Sequence, residues 1–229
     1  MRTYLVFLML ALFSMATQAD VALHPFTASY TVQLNGFKVG ELTRSLQRLD
    51  DGSYRLKTQA YTTGLTSLFK PDVVTEVSLM RMEEGRPLSL RYDYHYTGRR
   101  KDVVERQEFD WQQGRLSSLR DGKTTVIDLP PGILDKQVFE IAMQQGLQRG
   151  IHTDNIQVAV RGRIRDYDYQ VLGHERIVTR PFGEVETIKV ARGATTMWLA
   201  PGHDYMLVRI KQKDRNSEAV SHILAVDYH

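Results

Sequence analysis

Turn signals recur at short intervals after Pro25, and they constrain the fold more than any other feature of the chain. Asn35-Gly36 separates "YTVQL" from "FKVGELTRSL", and Asp51-Gly52 lies before "SYRLKTQAYT". Pairs of this kind between β-rich runs mark short hairpins. Further turns are predicted at Glu84-Gly85, Gly98, Gln113-Gly114, Asp121-Gly122, Gly173, Phe182-Gly183 and Pro201-Gly202. This spacing predicts antiparallel strands joined in a meander rather than βαβ units.

Two segments depart from the strand pattern. "TGLTSLFK", residues 63–70, predicts one helical turn that Pro71 stops. "LDKQVFEIAMQQGLQRG" predicts a helix over about 135–149 with Asp135 as its N-cap. Its apolar face is predicted to carry Val138, Phe139, Ala142, Met143 and Leu147. An amphipathic helix among strands has to bury that face, so we expect it to pack on the sheet. The predicted fold class is therefore mainly β, a curved antiparallel meander sheet or open barrel with one packed helix.

The first nineteen residues have the pattern of a secretory signal peptide. Arg2 precedes a short apolar run, Leu5 to Phe13, and small residues lead to Ala19. We therefore expect residues 1–19 to be removed and residues 20–229 to form a single β-rich domain in the periplasm. The chain has no cysteine, so a lipoprotein is not expected, and no later apolar segment is long enough to predict a transmembrane anchor.

The charge balance argues against nucleic acid as a partner. There are 30 basic and 27 acidic residues, a formal net charge of +3. Such a balance lacks the basic tract of a nucleic-acid binder. The one dense cluster, residues 99–101, is interpreted as a solvated hairpin turn, with a patch for an anionic surface as the alternative.

Strand alternation divides "LSLRYDYHYTG" into two faces. Arg91, Asp93 and His95 are predicted to point one way. The other face is predicted to carry Leu88, Leu90, Tyr92, Tyr94 and Tyr96. Tyrosine buries a large area while its hydroxyl seeks a polar partner. The ladder therefore predicts a core wall, or the wall of a pocket of mixed polarity.

Three arginines alternate in "RGRIRDYDYQV". A single regular strand would place on one face Arg161, Arg163, Arg165, Tyr167 and Tyr169. The favoured interpretation is a solvent-facing surface, with Val158, Val160 and Ile164 packing inward. A bulge at Gly162 would break this register. An unbroken stripe would be of phosphate size, so Arg161, Arg163 and Arg165 are candidates for an anion- or partner-binding surface.

No catalytic or metal-binding pattern is specific. His174-Glu175 and His203-Asp204 occur beside predicted turns, and none of the seven histidines has zincin or zinc-finger spacing. There is no Gly-x-Ser-x-Gly elbow, cysteine nucleophile or phosphate loop. No metal and no cofactor are predicted, and an enzyme is left open with a non-catalytic role favoured.

Four segments together resemble a known family. They are "EGRPLSLRYDYHYTG", "FDWQQGRL", "VLGHERIVTRPFGEVETIKV" and "TMWLAPGHDYMLVRI", and the resemblance runs from about Phe26 to the C-terminus. The family is DUF3108, exported bacterial proteins without an assigned function. The chain departs from it at Leu207, where the family often has proline.

The resemblance implies a β-rich curved sheet in the bacterial envelope and brings no catalytic residues. It also implies that His203-Asp204 is the corner of two strands, with Asp204 bonding turn amides and His203 exposed.

Three functional hypotheses follow. The leading one is a periplasmic binding or carrier protein for an apolar or lipid-like ligand held between sheet and helix. The residues predicted to line its cavity are Tyr92, Tyr94, Phe139, Met143 and Trp198. The alternatives are an envelope scaffold that meets a protein or an anionic glycolipid, and a hydrolase of envelope glycans or lipids that uses histidines such as His95.

Overall fold

The computed structural model describes residues 23–64, 71–99 and 101–229. The predicted signal peptide and residues 65–70 of the predicted helical turn lie outside these ranges. The elements are β1 Phe26–Leu34, β2 Phe37–Arg48, β3 Tyr54–Thr62, β4 Val73–Glu83, β5 Arg86–Thr97, β6 Val103–Asp110, β7 Arg115–Arg120, β8 Lys123–Asp128, β9 Leu134–Asp135, α1 Val138–Gln148, β10 Thr153–Val160, β11 Arg163–Thr179, β12 Gly183–Arg192, β13 Thr195–Ala200, β14 Met206–Asp214 and β15 Ser217–Tyr228.

All the described strands belong to one sheet. Its order is β8-β7-β6-β5-β4-β3-β2-β1-β15-β14-β13-β12-β11-β10-β9, so the first and last strands are neighbours in the middle. Neighbours are antiparallel except β9 and β10, which are parallel. The predicted fold class, a mainly β curved meander with one helix, is confirmed. In the part of the chain that the structure describes, no helix has both the length and the hydropathy to cross a bilayer.

Each predicted turn lies at a connection between elements except Gly173. That residue is inside β11, where the register against β12 shifts and Leu172 is 55% exposed. Arg161 and Gly162, which the sequence suggested as part of one long strand, instead form the turn between β10 and β11 with φ angles of 52° and 71°. Glycine allows the second of these angles without strain.

The sheet rolls up so that its two ends overlap. Ala159 and Ile164, on the face of the β10–β11 hairpin turned away from α1, pack with Leu116 of β7. The backbone amide of Arg161 donates a hydrogen bond of 3.0 Å to Glu105 Oε1 on β6. The β9–β11 end of the sheet therefore lies inside the β6–β8 end.

Helix α1 fills the interior of the roll. Phe139, Met143 and Leu147 pack with Tyr169 and Leu199 from the β11–β13 part of the sheet. On its other side the helix packs against β1–β4 through Val138 and Ile141. The predicted burial of the apolar face is confirmed. Buried residues are also found on most of the remaining surface of the helix.

Asp135 fastens the start of the helix to the sheet. The helix begins at Val138, with Gln137 in the N-cap position. Asp135 Oδ1 nevertheless accepts hydrogen bonds from the amides of Gln137 (2.9 Å) and Val138 (3.1 Å), which is the function of a cap. The hydroxyls of Ser78 and Ser89 donate to the same carboxylate at 2.8 and 2.9 Å. Burial outweighs these bonds and raises the pKa of Asp135.

The prediction that Leu88 and Leu90 share the face of Tyr92 is wrong. The pairing of β5 with β4 passes from Arg91 to Ser89 and leaves Leu90 without an opposite residue, as in a β-bulge. Ser89 is fully buried and therefore shares the inner face with Tyr92. One inserted residue reverses the alternation on one side of the bulge.

His203 and Asp204 lie at the corner between β13 and β14. The chain makes a 3-10 turn over Pro201–His203. The predictions that Asp204 bonds the turn amides and that His203 is exposed are both wrong. Asp204 Oδ2 bonds His24 Nδ1 at 2.9 Å instead of the turn amides. His203 is half-buried because its imidazole stacks on Phe182, with 3.7 Å between ring centroids.

Candidate functional site

A cleft of about 1420 Å³ lies where the rolled sheet overlaps itself. One wall is β5, the opposite wall is the β10–β11 hairpin, and β6 and β7 contribute Glu105, Gln107 and Arg120 between them. Lys136, from the segment between β9 and α1, also lines the space. We call this space the cleft.

The hairpin wall carries the three predicted arginines. Arg161, Arg163 and Arg165 are exposed to solvent and all line the cleft, beside Tyr167. The expectation that Val158 and Val160 point away from these arginines is wrong. Val158 pairs with Arg165 and Val160 with Arg163, and paired residues share a face. The turn at residues 161–162 sets this register.

The opposite wall carries the tyrosine ladder of β5. The Tyr92 hydroxyl donates to Glu76 at 2.8 Å, and the Tyr96 hydroxyl donates to Asp72 at 2.7 Å. Burial, and then the Glu76 carboxylate, raise the pKa of Tyr92. Hydrogen bonds from Tyr96 and from Arg99 lower the pKa of Asp72 to about 2. The carboxylates of Glu76 and Asp72 are therefore already bonded to tyrosine hydroxyls of this wall.

Lys136 lies over the ladder. Its Nζ is 5.3 Å from the ring centroid of Tyr92 and 4.8 Å from that of Tyr94, within the range of a cation–π contact. The same Nζ forms a 2.9 Å ion pair with Glu76. Two aromatic rings and one carboxylate thus hold this ammonium group in place.

Positive charge dominates the lining of the cleft, with seven lysines and arginines against two carboxylates, Asp72 and Glu105. Three of the cations have acidic partners: Arg99 pairs with Asp72, Arg120 with Glu105, and Lys136 with Glu76. The other four cations have no ion pair with any described residue, and they are Lys101, Arg161, Arg163 and Arg165. The cleft is therefore a concave surface with unneutralised positive charge on one wall and phenols on the other.

A smaller space of about 220 Å³ adjoins the cleft, because Lys136 and Tyr167 line both. We call it the inner chamber. Arg44 and Arg192 are its other cations. Its apolar lining consists of Leu42, Phe139, Leu207 and Ile210, and Tyr30 closes one side.

The structure brings together some of the residues predicted to line a cavity and separates others. Tyr92 and Tyr94 line the cleft, and Phe139 lines the inner chamber while being 1% exposed. Met143 is 1% exposed and packs in the core around α1. Trp198 is 5% exposed, and its Nε1 donates to Glu175 at 3.0 Å. Neither Met143 nor Trp198 lines the cleft or the chamber.

Sequence reasoning missed Arg44, Lys136 and Arg192. Arg44 had a signal, because it alternates with Leu42 and Leu46 at the inward positions of β2. A lone charge in an apolar alternation is buried only with a partner. Lys136 and Arg192 lie at the ends of elements, where strand alternation does not predict which way a side chain points.

Three histidines line a third cavity of about 570 Å³ at the β13–β14 corner: His152, His174 and His203. His174 Nδ1 is 3.2 Å from Glu186 Oε1. Within residues 23–64, 71–99 and 101–229, no group of three or more His, Cys, Asp or Glu side chains is arranged to hold a metal ion. His95 is exposed on β5 and does not line the cleft.

The fold and the site together define a class of protein: in the described residues, one mostly antiparallel sheet is rolled around helix α1, with a basic, tyrosine-lined cleft where the sheet overlaps. The chain belongs to the DUF3108 family of proteins of unknown function, whose family model matches residues 29–223. The resemblance stated from the four sequence segments is thereby confirmed.

A solved structure shares the fold. It is a β-barrel-like protein of the domain of unknown function DUF1849 from Brucella abortus, with a TM-score of 0.61 over 90% of this chain and 98% of that chain. The two sequences are 10% identical, so the likeness concerns the fold alone. No curated protein matches the sequence.

Proposed function

We propose that this protein is a non-catalytic, periplasmic binding protein for an anionic amphiphile, which it holds in the cleft. The observation that carries the proposal is the group of four cations without acidic partners, Lys101, Arg161, Arg163 and Arg165. Guanidinium groups donate paired hydrogen bonds that match phosphate and carboxylate groups. The signal-peptide pattern of residues 1–19 supports export.

The tyrosine wall supports an amphiphile rather than a bare ion. Tyr94 is half-buried and offers part of its ring surface, whereas Tyr92 lines the wall at 2% exposure, and neighbouring residues supply charge. Met143 is packed in the interior and lines neither the cleft nor the inner chamber, so the ligand's apolar part is not assigned to the core around Met143. In this proposal the lipid-like ligand expected from the sequence lies with its head group on the arginines and its apolar part along the tyrosine wall.

The test compares two probes with the same alkyl tail. Dodecyl phosphate carries an anionic head group and dodecyl maltoside a neutral one. Calorimetric titration of each, below its critical micelle concentration and at low salt, should show binding of the phosphate and much weaker binding of the maltoside. Equal affinities for the two would contradict the proposal.

A charge-matched pair of variants locates the site. Arg163→Gln/Arg165→Gln should weaken dodecyl phosphate binding by about tenfold or more, since each charge-assisted hydrogen bond contributes about 1.5–3 kcal/mol. Arg48→Gln/Arg55→Gln removes the same charge from exposed residues of β2 and β3 and should leave the affinity unchanged. Equal losses in both double variants would indicate a diffuse charge effect and no site.

Native mass spectrometry of protein purified from a bacterial periplasm, followed by organic extraction, identifies the natural ligand. A phosphorylated or carboxylated lipid of defined mass supports the proposal. The same arginines would serve an envelope scaffold that meets an acidic protein. Capture of such a partner, sensitive to Arg163→Gln/Arg165→Gln, together with no retained lipid and no binding of dodecyl phosphate, would favour that function instead.

A further inference from the structure

The inner chamber contains a buried arginine whose hydrogen-bonding capacity is only partly used. Arg44 is 7% exposed, and its Nη1 donates to the Glu140 carboxylate. Its Nη2 is buried and has no hydrogen-bond partner among the described residues. Burial alone would lower the pKa of Arg44, but Glu140 raises it above its ordinary value. The guanidinium is therefore charged, it lines the chamber, and its Nη2 has no acceptor among the described residues.

Arg192 contributes a second cation to the same chamber. It lies at the end of β12 and forms no ion pair with any described residue. Its guanidinium carbon is 4.2 Å from the ring centroid of Tyr167 and 5.8 Å from that of Phe139. The two rings are in edge-to-face contact with each other at 5.1 Å. Aromatic packing thus holds Arg192 in place without neutralising its charge.

The charges of the chamber leave one positive charge unbalanced. Arg44 is paired with Glu140 and Lys136 with Glu76, so Arg192 remains without an acidic counterpart. A buried or half-buried cation without a counter-ion is unfavourable, and a bound anion relieves that cost. The chamber therefore has a deficit of one negative charge.

We infer that the inner chamber binds a carboxylate carried on a short alkyl segment, held by Arg192 and by the unpartnered Nη2 of Arg44. A carboxylate supplies one negative charge and two acceptor oxygens, which match one unbalanced cation and two guanidinium groups. Leu42, Leu207 and Ile210 give the alkyl segment an apolar wall. A phosphate monoester would bring nearly two charges into a space that lacks one.

The inference rests on the proposed function, because the chamber adjoins the cleft at Lys136 and Tyr167. The cleft's ligand then carries two separate acidic groups. One group lies on the hairpin arginines, and the other is a carboxylate in the chamber. A free short-chain acid would satisfy the chamber equally well, and the experiment uses such an acid as its probe.

The probe is hexanoate, with hexanamide as a neutral molecule of nearly the same shape. Methyl resonances of Leu42, Leu207 and Ile210 report on the chamber in an NMR titration. Hexanoate should shift them with a saturable dependence on concentration, and hexanamide should bind at least about tenfold more weakly because it lacks the charge. Absence of saturable shifts with hexanoate, or equal affinities for both probes, overturns the inference.

Two variants test the two arginines. Arg192→Gln should weaken hexanoate binding by about tenfold or more while the fold is retained, since no described residue depends on Arg192 for an ion pair. Arg44→Met alone would strand Glu140, so the double variant Arg44→Met/Glu140→Met removes both charges together. It should reduce the preference of the chamber for hexanoate over hexanamide without abolishing it, because Arg192 keeps its charge. Unchanged hexanoate affinity in both variants overturns the inference.

The same measurements separate the two proposals. Arg163→Gln/Arg165→Gln should leave hexanoate affinity within about twofold, because those residues line the cleft and not the chamber. Binding of dodecyl phosphate without hexanoate would refute the chamber and leave the cleft. Binding of hexanoate at the chamber methyls without dodecyl phosphate would refute the proposed function.

Discussion

The packed core around α1 and the open cleft share the inner face of one sheet, yet only the first is closed. In the core the inward positions carry residues such as Phe139, Met143 and Leu199, which lose nothing by leaving water. In the cleft the inward positions carry Arg163, Arg165 and the tyrosines of β5. Charged groups without partners are costly to desolvate. The comparison teaches that charge at inward positions, rather than a different fold, keeps two walls of this roll apart.

The largest expected effect contrasts one aromatic residue from each region. Phe139→Ala should lower the free energy of unfolding by about 3–5 kcal/mol, because it removes a ring that is 1% exposed and packs in the core around α1. Tyr94→Ala, on the half-exposed wall of the cleft, should lower it by less than about 1.5 kcal/mol. Urea denaturation followed by circular dichroism measures both. Equal losses would mean that the cleft is as closely packed as the core.

The next prediction concerns Asp135, the buried carboxylate that joins β9 to α1. Asp135→Ala should lower the free energy of unfolding by about 2–3 kcal/mol, because it strands the amides of Gln137 and Val138 and the Ser78 hydroxyl. Asp135→Asn keeps an acceptor oxygen for these donors and should lose less.

The pKa of Asp135 also gives the sign of a pH effect. Burial raises this pKa in the folded state above its value of about 3.9 in the unfolded chain. The contribution of Asp135 to stability is therefore greatest below about pH 4, and it decreases as the pH rises through the folded-state pKa. Denaturation series at several pH values should show that the free energy of unfolding of the wild type increases relative to that of Asp135→Asn as the pH falls. A gap that widens at higher pH would contradict the sign.

Gln145 is an exception on the packed side of the comparison, and its replacement should be stabilising. It is 1% exposed, and neither amide atom has a hydrogen-bond partner among the described residues. Gln145→Met should raise the free energy of unfolding by about 1 kcal/mol and the Tm by about 2–4 °C. The neighbouring Gln144 donates to the Tyr205 carbonyl at 3.2 Å, so Gln144→Met should destabilise instead. A decrease in Tm for Gln145→Met would show that its amide is satisfied.

The smallest expected effect on stability belongs to the cleft. Arg163→Gln/Arg165→Gln should change the free energy of unfolding by no more than about 0.5 kcal/mol, because both residues are exposed and unpaired. The same double variant should show weaker dependence of dodecyl phosphate binding on salt than the wild type, since fewer charges remain to be screened. Thermal unfolding and calorimetry at two salt concentrations test both statements.

The sequence predicted those parts of the fold that local chemistry determines. Turns such as Asn35-Gly36 and the helix after Asp135 follow from backbone preferences within a few residues. The tyrosines of β5 and the hairpin arginines were named individually, but their meeting was not predicted. The cleft forms because the β10–β11 hairpin lies inside β6 and β7, and no local pattern encodes which distant strands overlap.

Single-residue irregularities account for two of the errors. Leu90 has no opposite residue on β4, and Gly173 lies at a register shift where a turn was predicted. Each shift of one residue exchanges the two faces of a strand. Trp198 was predicted to line a cavity, whereas it is 5% exposed and its indole donates to Glu175. Residue type alone does not specify whether a side chain points into a cavity.

The central position of β1 and β15 has a consequence for the order of folding. Each half of the meander consists largely of hairpins between strands adjacent in the chain, which close quickly. The β1–β15 ladder, by contrast, joins Phe26 to Tyr228 and cannot form until the last strand has been synthesised. The two half-sheets are therefore joined by one long-range pairing, and the roll and its cleft form only after that pairing. Pairing of β1 with β15 is the event that joins the two half-sheets into one.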